Sequence, residues 1–342
     1  MGRVTIKDIS REMQVSVNAV YKALNGKSGL SQKTREAILQ KADEMGYRVN
    51  RVAQSMARKP IQIGIIVTEE WPEHYEDLKK GMQLELEGLA DYNVFGKFYT
   101  ISVPYSEEKT MQAVASCMDD AVDAVIVCPY HQDANHNGFV EAVNQLEVPV
   151  VSLGSDLAGI HHLCCVKVDT YTSGKLAAEY MKQIIQPDQS AVVFIGNKDF
   201  IEHREKMTGF LEEANRSGMK VEGVFETQDD PKIACYLTDK LLKEHVKVGG
   251  IYIATGNSVA VCRCLKENDR RDIRIVGTDV FEEIQGYVED GTISGIIFQD
   301  PVKQGRCAVR TLYRYLVEHE KVEKEILVAP QIVLKSIMKY YL

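Results

Sequence analysis

Residues 4–46 read VTIKDISREMQVSVNAVYKALNGKSGLSQKTREAILQKADEMG. Three segments of this stretch show the helical spacing of apolar residues, and each follows a hydroxyl side chain that can cap a helix: Thr5, Ser16 or Ser31. The apolar positions that we expect to face inward are Ile6, Ile9, Met13, Val20, Ala23, Leu24, Ile38, Leu39, Ala42 and Met45. The stretch therefore predicts three short helices with a tight turn between the first two, which is the arrangement of a helix-turn-helix unit.

After Pro60 the pattern changes to an alternation of apolar runs and amphipathic stretches. The runs that indicate buried parallel strands are 63–67, 124–128, 148–153, 191–196, 250–255, 273–277 and 293–298. The amphipathic stretches between them include 75–91, 174–186, 203–216 and 301–319. This alternation predicts a doubly wound α/β architecture, and its length favours two α/β lobes with a cleft between them.

Charge is divided unevenly along the chain, whose formal net charge is −8. Residues 1–60 carry 12 lysine and arginine residues against 5 acidic ones, whereas the remainder carries 29 against 44. A basic head on an acidic body is typical of a protein in which the head alone contacts phosphate.

The eight cysteines follow no regular framework and include no CxxC pair. Several lie inside apolar runs, which favours free thiols in a reducing compartment. Neither a secretory signal nor a membrane span is indicated by the sequence, and we expect a cytoplasmic protein that does not engage a membrane. We expect no cofactor and no metal site; the alternative cluster of His161, His162, Cys164 and Cys165 lacks zinc-finger spacing.

The first 57 residues resemble the DNA-binding head of the lac repressor and galactose repressor family. The matching marks are V-T-x-x-D-[IV] from Val4, V-S-x-x-x-V from Val15, S-x-x-T-R-x-x-[IV] from Ser31 and G-Y-x-x-N-x-x-A from Gly46. The rest of the chain resembles the type I periplasmic-binding-protein-like fold of these regulators. The resemblance implies an all-α helix-turn-helix head (1–47), a hinge helix and linker (48–60) and a two-lobed sensing domain (61–342). We expect a first lobe of about 61–163 plus 294–325 and a second of about 164–293 plus 326–342.

The resemblance places the second helix of the head in the major groove of an operator. Val17, Asn18 and Lys22 are then expected to face base edges, where Asn18 can pair with adenine and Lys22 can donate to guanine. Residues expected to contact phosphate are Ser16, Tyr21, Asn25, Ser31 and Thr34. Ala19, Tyr21 and Lys22 stand where the family usually has Thr, Ser and Arg, so the operator should differ from those of the relatives.

The hinge of the family corresponds to residues 50–58. Met56 stands where a leucine usually wedges into the minor groove, Ala53 supplies a small side chain for close approach, and Arg51 can bind phosphate. The alternative is a simple linker helix. Because wedging needs two copies side by side, the resemblance implies a homodimer on a pseudo-palindromic operator.

Ligands of this fold lie between the lobes, at the carboxyl ends of strands. The resemblance implies Asp279 and Gln299 as an acceptor and an amide for sugar hydroxyls, and Lys206 or Arg204 as the cation that holds ligand oxygens. Further expected contacts are Trp71, His74, Tyr75 and Asn257. A sugar or sugar derivative is the expected effector, with a nucleoside as an alternative.

Two other classes of protein remain as alternatives to a regulator. The run GNSVA (256–260) approximates the G-x-S-x-G turn of hydrolases around Ser258, but Ala260 replaces its last glycine and no histidine and acid pair can be assigned. A solute-binding protein of a sugar transporter would fit the two lobes, while the basic head argues against it. The expected function is therefore a DNA-binding transcriptional regulator, a repressor without enzyme activity, whose operator affinity depends on a small molecule.

Overall fold

The computed structural model describes residues 4–24, 26–47, 58–69, 72–103, 106–128, 137–156, 158–244 and 247–341. The chain divides into two compact units, residues 1–59 with 91–93 and residues 60–90 with 94–342. Each unit is a separate folded body with its own core.

The described residues of the first unit form three helices, α1 (Ile6–Met13), α2 (Val17–Leu24) and α3 (Gln32–Glu44). Thr5 caps α1 in a reciprocal capping box with Asp8, and the Ser31 hydroxyl accepts a hydrogen bond from the Thr34 backbone N–H. Ile9, Val20 and Ile38 form the centre of the core and are fully buried. The predicted helix-turn-helix unit is confirmed, because local caps and helical spacing specify each helix before any tertiary contact is needed.

One predicted core position in this unit is wrong. Leu39 was expected to face inward, but its side chain is 41% exposed. The buried face of α3 carries Ile38 and Ala42 and packs against α1 and α2. Residue 39 is rotated by about 100° around the helix from residue 38 and so lies off that face.

The second unit contains two six-stranded sheets. The first sheet has the order β11-β5-β4-β3-β1-β2 and the second has the order β12-β10-β9-β8-β6-β7. The strands are β1 (Ile61–Thr68), β2 (Val94–Ile101), β3 (Ala124–Val127), β4 (Val150–Leu153), β5 (Cys164–Val168), β6 (Ser190–Ile195), β7 (Val221–Glu226), β8 (Val248–Ile253), β9 (Arg274–Thr278), β10 (Ile293–Phe298), β11 (Glu325–Val328) and β12 (Gln331–Val333). All pairings are parallel except that of β10 with β12. Each lobe thus repeats the doubly wound strand order in which a crevice opens at the carboxyl ends of the strands.

Helices cover both sheets. They are α4 (Pro72–Leu89), α5 (Glu107–Asp119), α6 (Asn137–Asn144), α7 (Thr170–Ile184), α8 (Ile201–Arg216), α9 (Pro231–Glu244), α10 (Ser258–Glu267), α11 (Gln285–Glu289) and α12 (Pro301–Leu316). Short 3₁₀ turns occupy residues 90–92, 282–284 and 338–340. Within the part of the chain that the structure describes, no helix is both long and apolar enough to cross a membrane.

The predicted boundaries between the two lobes are wrong at three strands. β5 pairs with β4 and β11 in the first sheet, although residues 164–293 were assigned to the second lobe. β10 pairs with β9 and β12 in the second sheet, although residues 294–325 were assigned to the first. β11 also belongs to the first sheet rather than the second. The chain therefore crosses between lobes after β5, after β10 and after β11, because strand pairing and not local composition decides where each segment belongs.

Two helix pairs approach each other closely through glycines. A Cβ atom added at Gly209 on α8 would lie 2.1 Å from the Tyr171 carbonyl oxygen of α7. In the first lobe, a Cβ atom at Gly81 on α4 would lie 2.0 Å from the Val302 carbonyl oxygen of α12. These pairs are rigid supports for the first turns of α4 and α8, which border the cleft described next.

The α4 and α12 pair also carries a buried acid. The Glu85 side chain of α4 is only 4% exposed and contacts two arginines of α12, Arg306 at 3.2 Å and Arg310. A charge-assisted contact of this kind fixes the register between the two helices.

Candidate functional site

The exposed face of α2 is the candidate nucleic-acid interface of the first unit. Val17 and Tyr21 are each 39% exposed and Asn18 is exposed, whereas Val20 and Ala23 on the opposite face are buried. The Lys22 side chain is half-buried, and its Nζ atom lies 3.0 Å from the position of a Cβ atom added at Gly29. Three of the four predicted positions on this helix are thus presented to solvent, and Lys22 extends along the turn that follows.

Neighbouring side chains hold α2 in place and add positive charge to it. The Arg35 guanidinium donates to the backbone carbonyls of Lys22 and Ala23 at 3.0 and 3.3 Å. It therefore provides hydrogen bonds for carbonyl groups at the end of α2 that have no partner within the helix. The Lys27 ammonium lies 5.1 Å from the centre of the Tyr21 ring. Tyr21 therefore carries a cation beside the exposed face, which suits a phosphate contact.

Three of the other predicted DNA contacts of the first unit are hydroxyl side chains at the starts of α2 and α3. Ser16 is exposed, and its hydroxyl accepts a hydrogen bond from the Ala19 backbone N–H at 3.1 Å. The Ser31 and Thr34 hydroxyls lie 2.7 Å apart at the start of α3. Ser16 and Ser31 thus cap α2 and α3, and Thr34 lies in the first turn of α3. Asn25, Arg51, Ala53 and Met56 lie outside the described residues.

A cavity of about 380 Å³ lies at the carboxyl ends of the strands of the second sheet. Segments that follow β7, β8, β9 and β10 line it, together with α8 of the second lobe and α4 of the first. Four predicted ligand contacts meet there, namely His74, Lys206, Asp279 and Gln299. The topology explains this convergence, because parallel strands end at one edge of their sheet.

Asp279 follows β9 and is held by the residue that follows β10. The Gln299 side-chain amide donates to Asp279 Oδ2 at 2.6 Å, and the Gln299 backbone N–H lies 3.3 Å from Oδ1. Asp279 has a φ of 61°, a left-handed conformation that aspartate tolerates better than most residues. The carboxylate is therefore oriented before any ligand arrives, and its side chain is 25% exposed toward the cleft.

The first lobe faces this carboxylate with an imidazole. His74 Nδ1 lies 3.8 Å from Asp279 Oδ2, which is beyond hydrogen-bonding distance, and it has no hydrogen-bond partner among the described residues. Burial lowers the pKa of His74 and the Lys206 ammonium acts in the same direction, whereas Asp279 and Asp77 oppose the shift. A neutral imidazole can donate to or accept from a hydroxyl group between the two lobes.

Lys206 is the cation of the cleft. It is 5% exposed, and its ammonium donates to the Ala254 carbonyl oxygen at 3.4 Å. Burial lowers its pKa, while the nearby carboxylates of Asp279, Glu202 and Asp229 favour the charged form. An ammonium in the field of three carboxylates can hold ligand oxygens without the fixed geometry of a guanidinium.

Sequence reasoning missed several residues that line the cavity: Asp77, His203, Asp229, Phe281 and Glu283. Asp229 follows β7, and burial raises the pKa of its carboxyl to about 6. A Cβ atom at Gly196 would lie 2.2 Å from Asp229 Oδ2, so this glycine makes room for the carboxyl. The sequence analysis did not predict β7 and therefore did not place Asp229 after a strand. Recognition of β7 would have identified Asp229 as a candidate site residue.

Three other predicted ligand contacts that the structure describes do not line the cavity. Arg204 is exposed and donates to the Lys198 carbonyl oxygen at 3.2 Å. Asn257 is 3% exposed, and its amide donates to the Thr227 hydroxyl at 3.0 Å, so it ties the segment after β8 to the one after β7. Tyr75 packs edge-on against His74 with ring centres 5.6 Å apart. Trp71 lies outside the described residues.

The two alternative chemical sites find no support in the local geometry. Ser258 begins α10 and is fully buried, with its Oγ atom 3.1 Å from the position of a Cβ atom at Gly277. It therefore lacks the exposed hydroxyl that a nucleophile elbow presents. Cys164 and Cys165 are consecutive residues of β5, so their side chains point to opposite faces of the sheet and do not converge with His161 and His162.

Comparison with known proteins gives matches for both units. The family model for the periplasmic binding protein domain matches residues 63–321, and the model for bacterial regulatory proteins of the lacI family matches residues 5–50. Catabolite control protein A from Priestia megaterium is 24% identical over 336 residues, which cover 96% of each chain. The HTH-type transcriptional regulator RegA from Clostridium saccharobutylicum is 24% identical and covers 94% of this chain and 98% of its own length.

A solved structure shows the same fold in the second unit. It is an ABC transporter periplasmic solute binding protein from Actinobacillus succinogenes with bound D-allose. Its TM-score is 0.72 at 20% identity, and the match covers 83% of this chain and 100% of that one. The two-lobed fold predicted from the sequence is therefore confirmed.

Proposed function

Because this chain belongs to the periplasmic binding protein domain family over most of its length and carries a lacI-family head, we propose that it binds an operator through α2 under the control of a small molecule in the cleft. The observation that carries the proposal is the joint presence of an exposed polar face on α2 and a preorganised polar cleft in one chain. A solute-binding protein of a transporter needs the cleft alone, so the head favours regulation. The same reasoning favours repression without enzyme activity, in the cytoplasm where DNA is accessible.

In the proposed DNA complex, Val17 and Asn18 contact base edges, as does Lys22. Asn18 is the most specific of these readers, because a side-chain amide can pair with adenine through two hydrogen bonds. The hydroxyls of Ser16, Ser31 and Thr34, together with Tyr21 and Asn25, contact phosphates. The proposed dimer places the hinge residues Arg51, Ala53 and Met56 of both chains at the operator centre.

The test of the head uses Asn18→Ala with Gln40→Ala, an exposed residue on α3, as the matched control. An operator is first selected from a pool of random duplexes with the unaltered chain. We expect Asn18→Ala to weaken binding to that operator by about tenfold or more, while binding to random duplexes keeps its affinity and salt dependence. An equal loss on both kinds of duplex would contradict the assignment of Asn18 as a reader.

The proposed ligand is a neutral polyol, with a sugar or sugar derivative as the default. The Asp279 carboxylate accepts a hydrogen bond from a ligand hydroxyl, and the Gln299 amide holds this carboxylate in place. His74 from the first lobe and Lys206 from the second provide the remaining contacts with the ligand. D-allose in the similar solved structure supports this class of ligand. We propose Trp71, Tyr75, Arg204 and Asn257 as further ligand contacts of lower rank.

Titration calorimetry of the full chain against carbohydrates and nucleosides tests this assignment. Asp279→Asn should lower the affinity for the ligand that binds by about tenfold or more, because a charge-assisted hydrogen bond is lost. Asp272→Asn, on the surface of the same lobe, is the matched control. Absence of binding across the panel, or equal affinity of Asp279→Asn and the unaltered chain, would refute the proposed sensor site.

A further inference from the structure

Two neighbouring helices of the second lobe present a cluster of metal-binding side chains away from the cleft. Cys235 and Asp239 are one turn apart on α9, and Cys264 and Asn268 are one turn apart at the end of α10. Side chains four residues apart share one face of a helix. The packing of α9 against α10 brings the two faces together, so that four polar side chains meet between the helices.

The distances within this cluster suit a bound cation. The Cys264 sulfur lies 3.2 Å from Asp239 Oδ1 and 3.3 Å from the Cys235 carbonyl oxygen, and its single proton is donated to one of the two. The two sulfur atoms and a carboxylate oxygen of Asp239 all lie within 4.8 Å of one another. Sulfur and oxygen ligands of a tetrahedral zinc ion stand roughly 3.5–4 Å apart, since the metal–ligand bonds are about 2.0–2.3 Å long. Rotation of side chains alone could close the remaining difference.

We propose that Cys235, Asp239 and Cys264 form a binding site for a thiophilic divalent cation of the zinc class, with water as the fourth ligand. Asn268 acts as a positioning residue, because its side-chain amide donates to Asp239 Oδ1 at 3.0 Å and so orients the carboxylate. Two thiolates and one carboxylate are a soft donor set that selects zinc over magnesium or calcium.

Binding exchanges protons for the metal without any change of oxidation state. Each thiol loses its proton to solvent as its sulfur bonds to the cation, while the Asp239 carboxylate binds as it is. Burial raises the pKa of the Cys264 thiol, and its contacts with Cys235 and Asp239 act in the same direction. Protons and the cation compete for the same sulfur atoms, so the affinity should rise with pH.

The burial of the three ligands leaves an entry route. Cys264 is 1% exposed, whereas Cys235 and Asp239 are half-buried and keep contact with solvent. A bound cation would join α9 to α10, whose first turn carries Val259 of the cleft wall. The site is independent of the proposed function, because none of its ligands lines the cleft.

The test titrates the reduced full chain with Co²⁺ and then displaces the Co²⁺ with Zn²⁺. We expect one Co²⁺ per chain with the visible absorption of tetrahedral thiolate coordination, and about two protons released per Zn²⁺ in weak buffer. The pair of substitutions Cys235→Ser and Cys264→Ser should abolish this absorption. Asn268→Ala should retain it with an affinity lowered by about ten- to a hundredfold.

Cys307→Ser is the matched control, since Cys307 is another half-buried thiol and belongs to α12 of the first lobe. It should bind Co²⁺ as the unaltered chain does. Asp239→Asn provides a second ligand variant that keeps both thiols, and circular dichroism of each variant without metal checks the fold. The proposal is overturned if the reduced chain binds no stoichiometric Co²⁺, if the double variant keeps the absorption, or if no protons are released.

Discussion

Asp229 allows a quantitative test of the electrostatics of the cleft, because its charge is unfavourable in the folded chain. Burial raises the pKa of this carboxyl from 3.8 to about 6, and the Lys206 ammonium compensates only in part. Replacing it by asparagine keeps the shape and removes the charge. Asparagine also accepts the φ of 53° at this position, since it tolerates the left-handed region.

The size and the sign of the effect follow from this pKa. A rise from 3.8 to about 6 corresponds to about 3 kcal/mol at full ionisation. The side chain keeps part of its contact with solvent, so we expect about 2 kcal/mol. A carboxyl whose pKa is higher in the folded than in the unfolded chain stabilises the fold while protonated, and this contribution is lost as the pH rises from about 4 to about 6.

Asp229→Asn should therefore stabilise the second unit at high pH and not at low pH. Thermal unfolding of the ligand-free chain, followed by circular dichroism, should show a Tm higher by roughly 4–8 °C at about pH 8 and little change near pH 4. The matched control is Asp269→Asn, which has a similar φ of 52° and an 89% exposed side chain. A gain that is independent of pH, or no gain at high pH, would refute the reasoning.

Four further substitutions test the packing and capping of the helices by urea unfolding. Gly209→Ala should lower the free energy of unfolding by about 3 kcal/mol, because α7 must move to make room for the methyl group. Gly88→Ala is the control: its methyl group would point into open space, and it should raise the free energy of unfolding by about 0.5–1 kcal/mol. Equal effects of the two substitutions would contradict the close approach of α7 and α8. Thr5→Ala should lower the stability of the head by about 1 kcal/mol through loss of the capping box, and no loss would show that the cap is dispensable. Glu85→Gln should lower the free energy of unfolding by about 1–3 kcal/mol at low salt, because it loses its charged contacts with two arginines. An unchanged free energy of unfolding would show that these contacts do not stabilise the second unit.

The head could be predicted almost residue by residue because its helices are specified locally. Thr5, Ser16 and Ser31 mark the helix starts, and α2 spans the predicted residues 17–24. Leu39 is the exception, since an apolar residue on a short helix does not reveal by itself whether a neighbour covers it.

The sheets could be predicted only where burial is complete. Central strands such as β1, β8 and β9 show continuous apolar runs and were found, whereas the edge strands β2 and β7 mix polar and apolar residues because each has one neighbour. The lobe assignment of β5 and β10 depends on which strand each one pairs with. That information is non-local and leaves no mark in the composition of either strand.

The site shows the same division between local and non-local information. Gln299 directly follows a predicted strand and Asp279 lies two residues after another, so their convergence could be anticipated. The positions of Asp229 and His203 in the cleft depend on where β7 ends and on which face of α8 is turned inward. The sequence pattern defines neither of these. Arg204 and Lys206 are two residues apart on α8 and point in different directions, and the fold selects Lys206 for the cleft.

The cleft contains one arrangement that can report ligand binding between the lobes. Asp279 is fixed to the second lobe by Gln299, while His74 belongs to α4 of the first lobe and lies 3.8 Å from it, just too far for a direct hydrogen bond. A ligand hydroxyl that bonds to both groups would bind best at one separation of the lobes, and only such differential contacts can shift their equilibrium. Since Gly81 brings the backbone of α4 against that of α12, a shift of the α4 backbone that carries His74 would also displace α12. We therefore propose that a ligand bonded to both groups would displace the α4 and α12 pair as one body relative to the second sheet.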